Sequence, residues 1–197
     1  MPADSVIPLP SPRLDGPKSL EETLGRRRSV RFFGQDSVSR ADLSQLLWAA
    51  QGITDPGGKR TAPSAGALYP LETYAVTPDG ISHYDPAVHA ITLVRAGDHR
   101  EDLYNAALMM DSVRRAPLTM VLAASFAQTE SRYGPQRGPR YVHLEAGHAA
   151  QAILLQAVAL GLGAVPIGAF LDDEVGEVLG LPSDQSPLYL VSVGHPE

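Results

Sequence analysis

Apolar positions recur at helical spacing in five parts of the chain, and several of these stretches begin at a residue that can cap a helix. The predicted helices cover about 19–25, 39–52, 98–113, 141–162 and 172–180. Ser19 and Ser39 each precede an acidic residue three positions later, the spacing at which a side chain can satisfy a free backbone N–H at a helix start. Asp98 and Asp172 are predicted to start the two later short helices in the same way.

Shorter apolar runs lie between these helices and predict strands at about 73–76, 81–84, 90–94, 118–126 and 188–193. The first two are joined by Pro78-Asp79-Gly80, which is a strong turn signal and predicts a hairpin. Helices and strands are mixed without regular alternation. The sequence therefore predicts an α+β fold with a central, mostly antiparallel sheet flanked by helices, rather than a doubly wound parallel sheet.

Proline and glycine divide the chain into regions. Residues 1–18 contain five of the 17 prolines and no apolar periodicity, so we predict an extended arm outside the core, followed by a single domain over 19–197. Proline and glycine also crowd residues 56–70, which predicts a long loop. Loops of this length in compact domains usually bind something.

The predicted helix over 141–162 is apolar on nearly all sides, which indicates burial in the core or against a second copy of the chain. A membrane span is the alternative, but the apolar stretch from Ala149 to Val165 contains two glutamines and is shorter than the ~20 residues that a span needs. Gly147 in mid-helix suggests a close approach by another helix.

The composition narrows the classes of function. Sixteen Lys and Arg against 22 Asp and Glu give a net charge of −6, so we expect no nucleic-acid or membrane partner. The absence of cysteine excludes thiol nucleophiles, thiolate metal sites and disulfides. Met1 to Pro12 lacks a basic region followed by an apolar run, so we expect a cytoplasmic protein.

Several familiar functional motifs are misplaced, incomplete or absent in the sequence. The glycines of 161–168 end a helix and precede a strand, whereas a dinucleotide fingerprint lies between a strand and the following helix. Gly57-Gly58-Lys59 lacks the flanking residues of a P-loop, and no Gly-x-Ser-x-Gly elbow occurs. His143 and His148 are five residues apart, which places them about 140° apart on a straight helix, so no metal site is predicted.

Three segments remain as candidates for chemistry. Arg26–Arg31 places four guanidiniums and a hydroxyl in six positions, a composition suited to a phosphate monoester, although a solvated basic turn would look the same. Pro63–Pro70 has small residues that would let a flat ligand approach the backbone, and Ala164–Phe170 could line one face of an aromatic ring system. Taken singly, the first of these segments is more typical of an ordinary loop, and the second is more typical of an ordinary buried strand.

Together the three segments resemble the FMN-dependent nitroreductase family, over about residues 20 to 194. Within it the chain looks closest to the SagB-type dehydrogenase branch, whose members oxidise azolines to azoles. That closer likeness lies in Pro63-Ser64-Ala65-Gly66-Ala67-Leu68-Tyr69-Pro70-Leu71-Glu72, His83-Tyr84-Asp85-Pro86 and Leu144-Glu145-Ala146-Gly147-His148-Ala149-Ala150-Gln151.

The resemblance implies a homodimer, with the long helix at its interface and two FMN sites shared between the subunits. It implies FMN contacts from three sets of residues, which are Arg27, Arg28, Ser29 and Arg31, then Pro63, Ser64, Ala65 and Gly66, and finally Pro166, Ile167, Gly168 and Ala169. The first set would hold the phosphate and ribityl chain, with Arg31 at the N1 and C2 carbonyl edge of the flavin. The second set would come from the other subunit, and the third would line the ring near N5.

The resemblance further implies an oxidoreductase that passes hydride from NAD(P)H through flavin N5 to a nitroaromatic, quinone or similar small-molecule acceptor, in a ping-pong cycle. The alternative is a SagB-type dehydrogenase acting on an azoline or another natural-product ring, with Tyr133 as a second catalytic group in addition to Arg31. Azoline-oxidising members resemble one another in a Lys-Tyr pair, where this chain has Arg132-Tyr133, and arginine is a poor proton acceptor. A third hypothesis is a flavin-binding protein without turnover, because Met109 and Met110 replace a common flavin-edge amide and the usual basic tail is absent.

Overall fold

The computed structural model describes residues 6–197, which form a seven-stranded antiparallel sheet with helices on both faces. The spatial order of the strands is β1-β4-β3-β2-β5-β7-β6. In chain order the strands are β1 (Val6–Pro8), β2 (Leu71–Thr77), β3 (Gly80–Asp85), β4 (Ala90–Ala96), β5 (Leu118–Ser125), β6 (Gly163–Ile167) and β7 (Gln185–Gly194). The α+β prediction with a central antiparallel sheet is therefore confirmed, as is the hairpin that joins Thr77 to Gly80.

The helices are α1 (Leu20–Arg26), α2 (Arg40–Gln51), α3 (Arg100–Ala106), α4 (Asp111–Arg115), α5 (Ala127–Tyr133), α6 (Gly138–Ala159) and α7 (Asp172–Leu179). One core cluster joins α2 and α6 to one face of the sheet, and a second joins α3, α4 and α7 to the other face. Because both faces are covered, the central strand β5 is buried from Leu118 to Ala124, and its sequence is correspondingly a continuous apolar run.

The predicted caps of α1 and α2 are confirmed. The Ser19 hydroxyl accepts a hydrogen bond from Glu22 N at 3.1 Å, and the Ser39 hydroxyl accepts one from Asp42 N at 3.1 Å. Gly52 follows the last residue of α2, as expected. Capping depends on residues three positions apart, and for this reason it can be predicted locally.

The prediction of an arm outside the core is wrong for residues 6–18, while residues 1–5 lie outside the described residues. Val6–Pro8 pairs with β4 at the edge of the sheet, and Leu9 is buried in the core cluster of α2 and α6. Arg13 N also donates to Gln45 Oε1 at 2.8 Å. Prolines suit this segment because an edge strand leaves one row of backbone N–H groups unpaired.

The single helix predicted over 98–113 is also wrong, since it is two helices with a break between them. Leu108 and Met109 have φ values of 52° and 59°, in the left-handed region, and they turn the chain between α3 and α4. Asp98 still accepts a hydrogen bond from Arg100 N at 3.1 Å, although His99 occupies the cap position. Asp172 lies inside the first turn of α7 rather than at its cap, which is Leu171.

Helix α6 buries one face and exposes the other. Val142, Ala146, Ala149 and Ile153 lie in the core, whereas Leu144 is 55% exposed on the opposite face. A Cβ at Gly147 would have no atom of the described chain within 4 Å, so the close helix approach predicted there is not present within one protomer. Among residues 6–197, no helix is both long enough and apolar enough to cross a membrane.

Candidate active site

The arginine segment lies along the first residues of β6. Ser29 pairs with Ala164 in a parallel bridge, and Val30 N donates to Ala164 O at 3.0 Å. Because the pairing is parallel, the chain from Ser29 to Arg31 runs in the same direction as β6. The structure thus brings together two of the three segments singled out in the sequence.

The close packing of Val30 on Gly163 fixes this arrangement. A Cβ on Gly163 would lie 2.7 Å from both Cβ and Cγ1 of Val30, closer than nonbonded carbon atoms approach.

We expect Gly163→Ala to lower the free energy of unfolding by about 1–2 kcal/mol through this overlap. Gly176→Ala in α7 is the matched control, since its Cβ would meet nothing within 4 Å, and it should be neutral or raise stability by up to about 1 kcal/mol. Urea unfolding measures both, and an unchanged midpoint for Gly163→Ala would contradict the packing argument.

Three of the four guanidiniums of the segment have no acidic partner among the described residues, whereas Arg26 forms a salt bridge with Glu22 at 3.2 Å. Among the described residues no carboxylate forms a salt bridge with Arg27, Arg28 or Arg31. Arg28 instead donates to the backbone oxygens of Gly25, at 3.1 Å, and of Arg27, at 2.7 Å. Three positive charges without an acidic partner, in a chain of net charge −6, are a candidate site for an anion.

A cleft of about 220 Å³ opens beside this segment, with Lys18, Arg26 and Arg28 in its lining. Lys18 Nζ donates to Val158 O at 2.8 Å and thereby satisfies the C-terminal end of α6. Pro196 also lines the cleft. Sequence reasoning missed Lys18, because only the long-range packing of residues 6–18 brings it to the arginines.

The third segment follows β6 directly. Pro166 and Ile167 belong to the strand, while Gly168 and Ala169 are exposed after it. The turn that contains Met109 and Met110 lies on the same side, since Leu171 N donates to Ala106 O at 2.9 Å. Arg27, Arg28, Ser29, Arg31, Pro166, Ile167, Gly168 and Ala169 therefore lie on two chain segments that the Ser29–Ala164 bridge joins.

The Pro63–Pro70 loop has an unusual backbone. It contains a short 3₁₀ turn at Ala65–Ala67, in which Gly66 and Ala67 have φ values of 63° and 53°, and Tyr69 has 49°. Tyr69 N donates to Ser64 Oγ at 2.9 Å and closes the turn. Left-handed backbone at residues other than glycine costs energy and is typical of functional sites.

Helix α5 lies against this loop. A Cβ at Gly66 would lie 2.6 Å from the Tyr133 hydroxyl, and Arg132 Nη1 donates to Gly66 O at 3.4 Å. The predicted catalytic Tyr133 is thus beside the loop of Pro63, Ser64, Ala65 and Gly66.

Two polar groups behind the loop were not predicted as site residues. Glu145 of α6 is 2% exposed, and burial raises its pKa from the ordinary 4.5 to about 7, while the Ser64 hydroxyl and the charge of Arg60 oppose the rise. Arg60 Nη1 donates to Gln51 Oε1 at 2.8 Å. The sequence offered one signal for the burial of Glu145. Its helical neighbours at i+1 and i+4, Ala146 and Ala149, are apolar, and both are buried in α6.

The two groups of residues lie at opposite ends of one helix. The loop is beside Glu145 near the start of α6, and the arginine cleft is beside Val158 near its end. Thirteen residues of α-helix span roughly 20 Å, so about that distance separates the loop from the arginine cleft of the same protomer along α6.

Comparison with known proteins identifies the family to which this fold belongs. The Nitroreductase family model matches residues 24–195, and the chain belongs to the nitroreductase family. It is 41% identical over 181 residues to MJ1384, a candidate nitroreductase of Methanocaldococcus jannaschii, covering 89% of this chain and 90% of that protein.

Two further comparisons agree. A candidate nitroreductase of Ralstonia eutropha JMP134 has a solved structure that superposes with a TM-score of 0.88 and 32% identity, covering 100% of this chain and 95% of that one. A Thermus thermophilus protein named NADH dehydrogenase is 28% identical over 193 residues, covering 87% of this chain and 83% of that protein. The chain is thus a nitroreductase-family oxidoreductase by family membership.

Proposed function

We propose that this protein is an FMN-dependent oxidoreductase that works as a homodimer and passes reducing equivalents from NAD(P)H to a nitroaromatic, quinone or similar acceptor. The observation that carries the proposal is the set of three guanidiniums without acidic partners, at Arg27, Arg28 and Arg31, held against the start of β6. A phosphate monoester, with nearly two negative charges and several acceptor oxygens, matches this set of donors.

The described residues fit FMN in three respects. Arg27, Arg28 and Ser29 offer charged and hydroxyl donors for the phosphate, and Arg31 offers a cation two residues further along the chain. Gly168 and Ala169 are exposed after β6 and leave backbone accessible for a flat ring. When bound, FMN would supply the hydride transfer, and the protein would bind, orient and tune it.

The separation between the Pro63–Gly66 loop and the arginines supports the homodimer, because a second copy of the chain could bring them together. The Pro63–Gly66 loop lies roughly 20 Å along α6 from the arginine cleft of its own chain, and α6 carries an exposed face with Leu144, Gly147 and Gln151. If that face packs on its counterpart, the loop of one subunit can reach the arginine cleft of the other. The reductant NAD(P)H is part of the proposal and draws on the name of the Thermus relative.

The visible spectrum of the purified protein, recorded before and after anaerobic addition of NAD(P)H, tests flavin, reductant and turnover together. We expect a yellow protein with stoichiometric FMN whose flavin absorbance bleaches with NADH or NADPH and returns with an acceptor. A colourless protein that takes up no added FMN would overturn the proposal.

Arg31→Ala is expected to weaken FMN binding by about tenfold and to lower the reduction potential of the bound flavin. The guanidinium favours negative charge at the flavin edge, so its loss disfavours the reduced form. FMN titration by fluorescence and an equilibrium redox titration measure the two effects. Unchanged affinity and potential would refute the role assigned to Arg31.

A second candidate, oxidation of an azoline or another natural-product ring as in SagB-type dehydrogenases, is favoured by the contact of Tyr133 with Gly66. Tyr133 would then lie at the substrate, with its hydroxyl available to hold or move a proton. This candidate predicts oxidation of substrate with oxygen and little NAD(P)H turnover. Rapid bleaching of the flavin by NAD(P)H would favour the first candidate.

A further inference from the structure

A cavity of about 830 Å³ lies on the face of the sheet that α2 and α6 cover, beside the first residues of α2. Its floor includes Ile7 of β1, Ala75 of β2, Ser82 of β3 and Leu93 of β4, and Leu43 of α2 belongs to its wall. Sites for small molecules commonly have volumes of roughly 300–1,000 Å³ and mostly apolar linings. The cavity therefore has the size and the lining of a small-molecule site.

The pairing of the strands explains why this space is not filled by side chains. Ala75 and Ser82 lie directly opposite each other in the β2–β3 pair, and both side chains are small. On the next strand, Ile81 pairs with Arg95 and Ser82 pairs with Leu93, so one residue of β4 is left over in a bulge. Arg95 donates to backbone oxygens of α7 on the other face of the sheet. The floor of the cavity thus stays apolar, with Leu93 on it and the charge of Arg95 directed away.

Arg40 is the one basic residue of the cavity lining. Its Nη2 donates to Pro8 O, which holds the guanidinium between α2 and β1. Among the described residues no carboxylate forms a salt bridge with Arg40. Arg40 is also the first residue of α2, where the helix dipole favours negative charge. A planar guanidinium in this setting matches the carboxylate of a ligand.

Asp79 is the one acidic residue of the lining, and it lies in the exposed turn between β2 and β3. No salt bridge joins it to Arg40. Asp79 would repel a ligand with several negative charges, and a phosphate monoester is matched better by the three guanidiniums of the arginine segment. One carboxylate on an apolar body is the anion that fits one guanidinium beside an apolar floor.

We propose that this cavity binds a small apolar carboxylic acid, with its carboxylate on Arg40 and its apolar part over Ala75, Ser82 and Leu93. Two complementarities support this ligand class, namely one cation without an acidic partner and the apolar strand face beside it. The proposal does not rest on the proposed function, because no residue implied to contact FMN lines the cavity.

Octanoate and octanol are matched probes for this site, since they share an apolar chain and differ in charge. In calorimetric titrations at neutral pH, we expect the wild type to bind one octanoate per chain, about tenfold more tightly than octanol, and Arg40→Gln to lose this preference. Arg115→Gln replaces another exposed arginine that forms no salt bridge among the described residues, and it should bind as the wild type does. A wild type that does not bind octanoate or does not prefer it, or a preference that persists in Arg40→Gln, overturns the proposal.

Ser82→Phe is an independent variant, in case loss of the contact between Arg40 and Pro8 O loosens β1. A phenyl ring in place of the small Ser82 side chain would occupy the cavity, so we expect octanoate affinity to fall by at least about tenfold. Melting curves of both variants without ligand report on folding. Unchanged octanoate binding in Ser82→Phe would mean that the acid lies outside the cavity, which also overturns the proposal.

Two further measurements separate this site from its alternatives. An Arg27→Ala/Arg28→Ala variant should bind octanoate as the wild type does, and loss of octanoate there would place the anion at the arginine segment instead. Light scattering gives the oligomeric state of Ser82→Phe, and a changed state without a change in octanoate affinity would mean that a second copy of the chain covers the cavity. Either result overturns the proposal. A protein that takes up no FMN but binds octanoate in this pattern would refute the proposed function and leave the acid site in place.

Discussion

An Arg27→Ala/Arg28→Ala double variant is expected to bind FMN at least about 100-fold more weakly than the wild type. A hydrogen bond from a guanidinium to a phosphate contributes roughly 1.5–3 kcal/mol, and about 1.4 kcal/mol corresponds to a factor of ten in affinity. Neither side chain forms a salt bridge among the described residues, and Arg28 bonds only to nearby backbone oxygens, so the fold should be little affected. Fluorescence titration with FMN, together with a melting curve of the apoprotein, measures binding and folding separately.

The control for this variant is Arg115→Ala, an exposed arginine of α4 that forms no salt bridge among the described residues. Its FMN affinity should equal that of the wild type. Equal affinity in the double variant would mean that the phosphate is held elsewhere and would remove the main support for the proposed site.

The Arg27→Ala/Arg28→Ala double variant also tests whether the site is shared between subunits. Gly66→Val should impair the loop, because its φ of 63° is unfavourable for a β-branched residue and its Cβ would meet the Tyr133 hydroxyl. Suppose that each site takes its arginines from one subunit and its loop from the other. In a heterodimer of the double variant and Gly66→Val, both defects then fall in one site, and the other site is intact. We therefore expect about one FMN per mixed dimer and little in either variant homodimer. A mixed dimer without FMN would contradict the shared site.

The parts of the fold that sequence reasoning predicted depend on short-range chemistry. Ser19 and Ser39 cap their helices through bonds to residues three positions on, and Pro78-Asp79-Gly80 turns the chain within one hairpin. The arginine segment was also recognisable, because four cations in six positions stand out in an acidic chain. Such features keep their meaning in almost any tertiary context.

The parts that were wrong or missed depend on contacts far apart in sequence. Pro8 lies in a strand only because β4 supplies the partner, and Leu108 and Met109 adopt left-handed backbone at a turn that no local glycine marks. The environment of Glu145 is made by Arg60 and Ser64, more than 80 positions away in the chain. The sequence shows the carboxylate, but its burial and its neighbours are tertiary facts.

Replacing Glu145 with Gln should change how the stability of the FMN-free protein depends on pH, by about 3 kcal/mol between pH 5 and pH 8. The pKa of Glu145 is raised from 4.5 to about 7 in the folded protein, so the folded state binds its proton more tightly than the unfolded state does. Its favourable contribution is therefore fully present below pH 4.5 and is lost as the pH rises to about 7. Glutamine has a similar shape without the charge, and the variant should lack this loss.

Urea unfolding of both proteins at pH 5 and pH 8, at one protein concentration, gives the difference directly. The other ionisable groups are common to both proteins and cancel in the comparison. Glu177→Gln should follow the wild type, since that carboxylate is exposed. If wild type and Glu145→Gln lose stability in parallel, burial does not raise the pKa of this carboxyl. If Glu145→Gln is instead the more stable protein at pH 8, the buried charge of the wild-type carboxylate costs the fold stability at that pH.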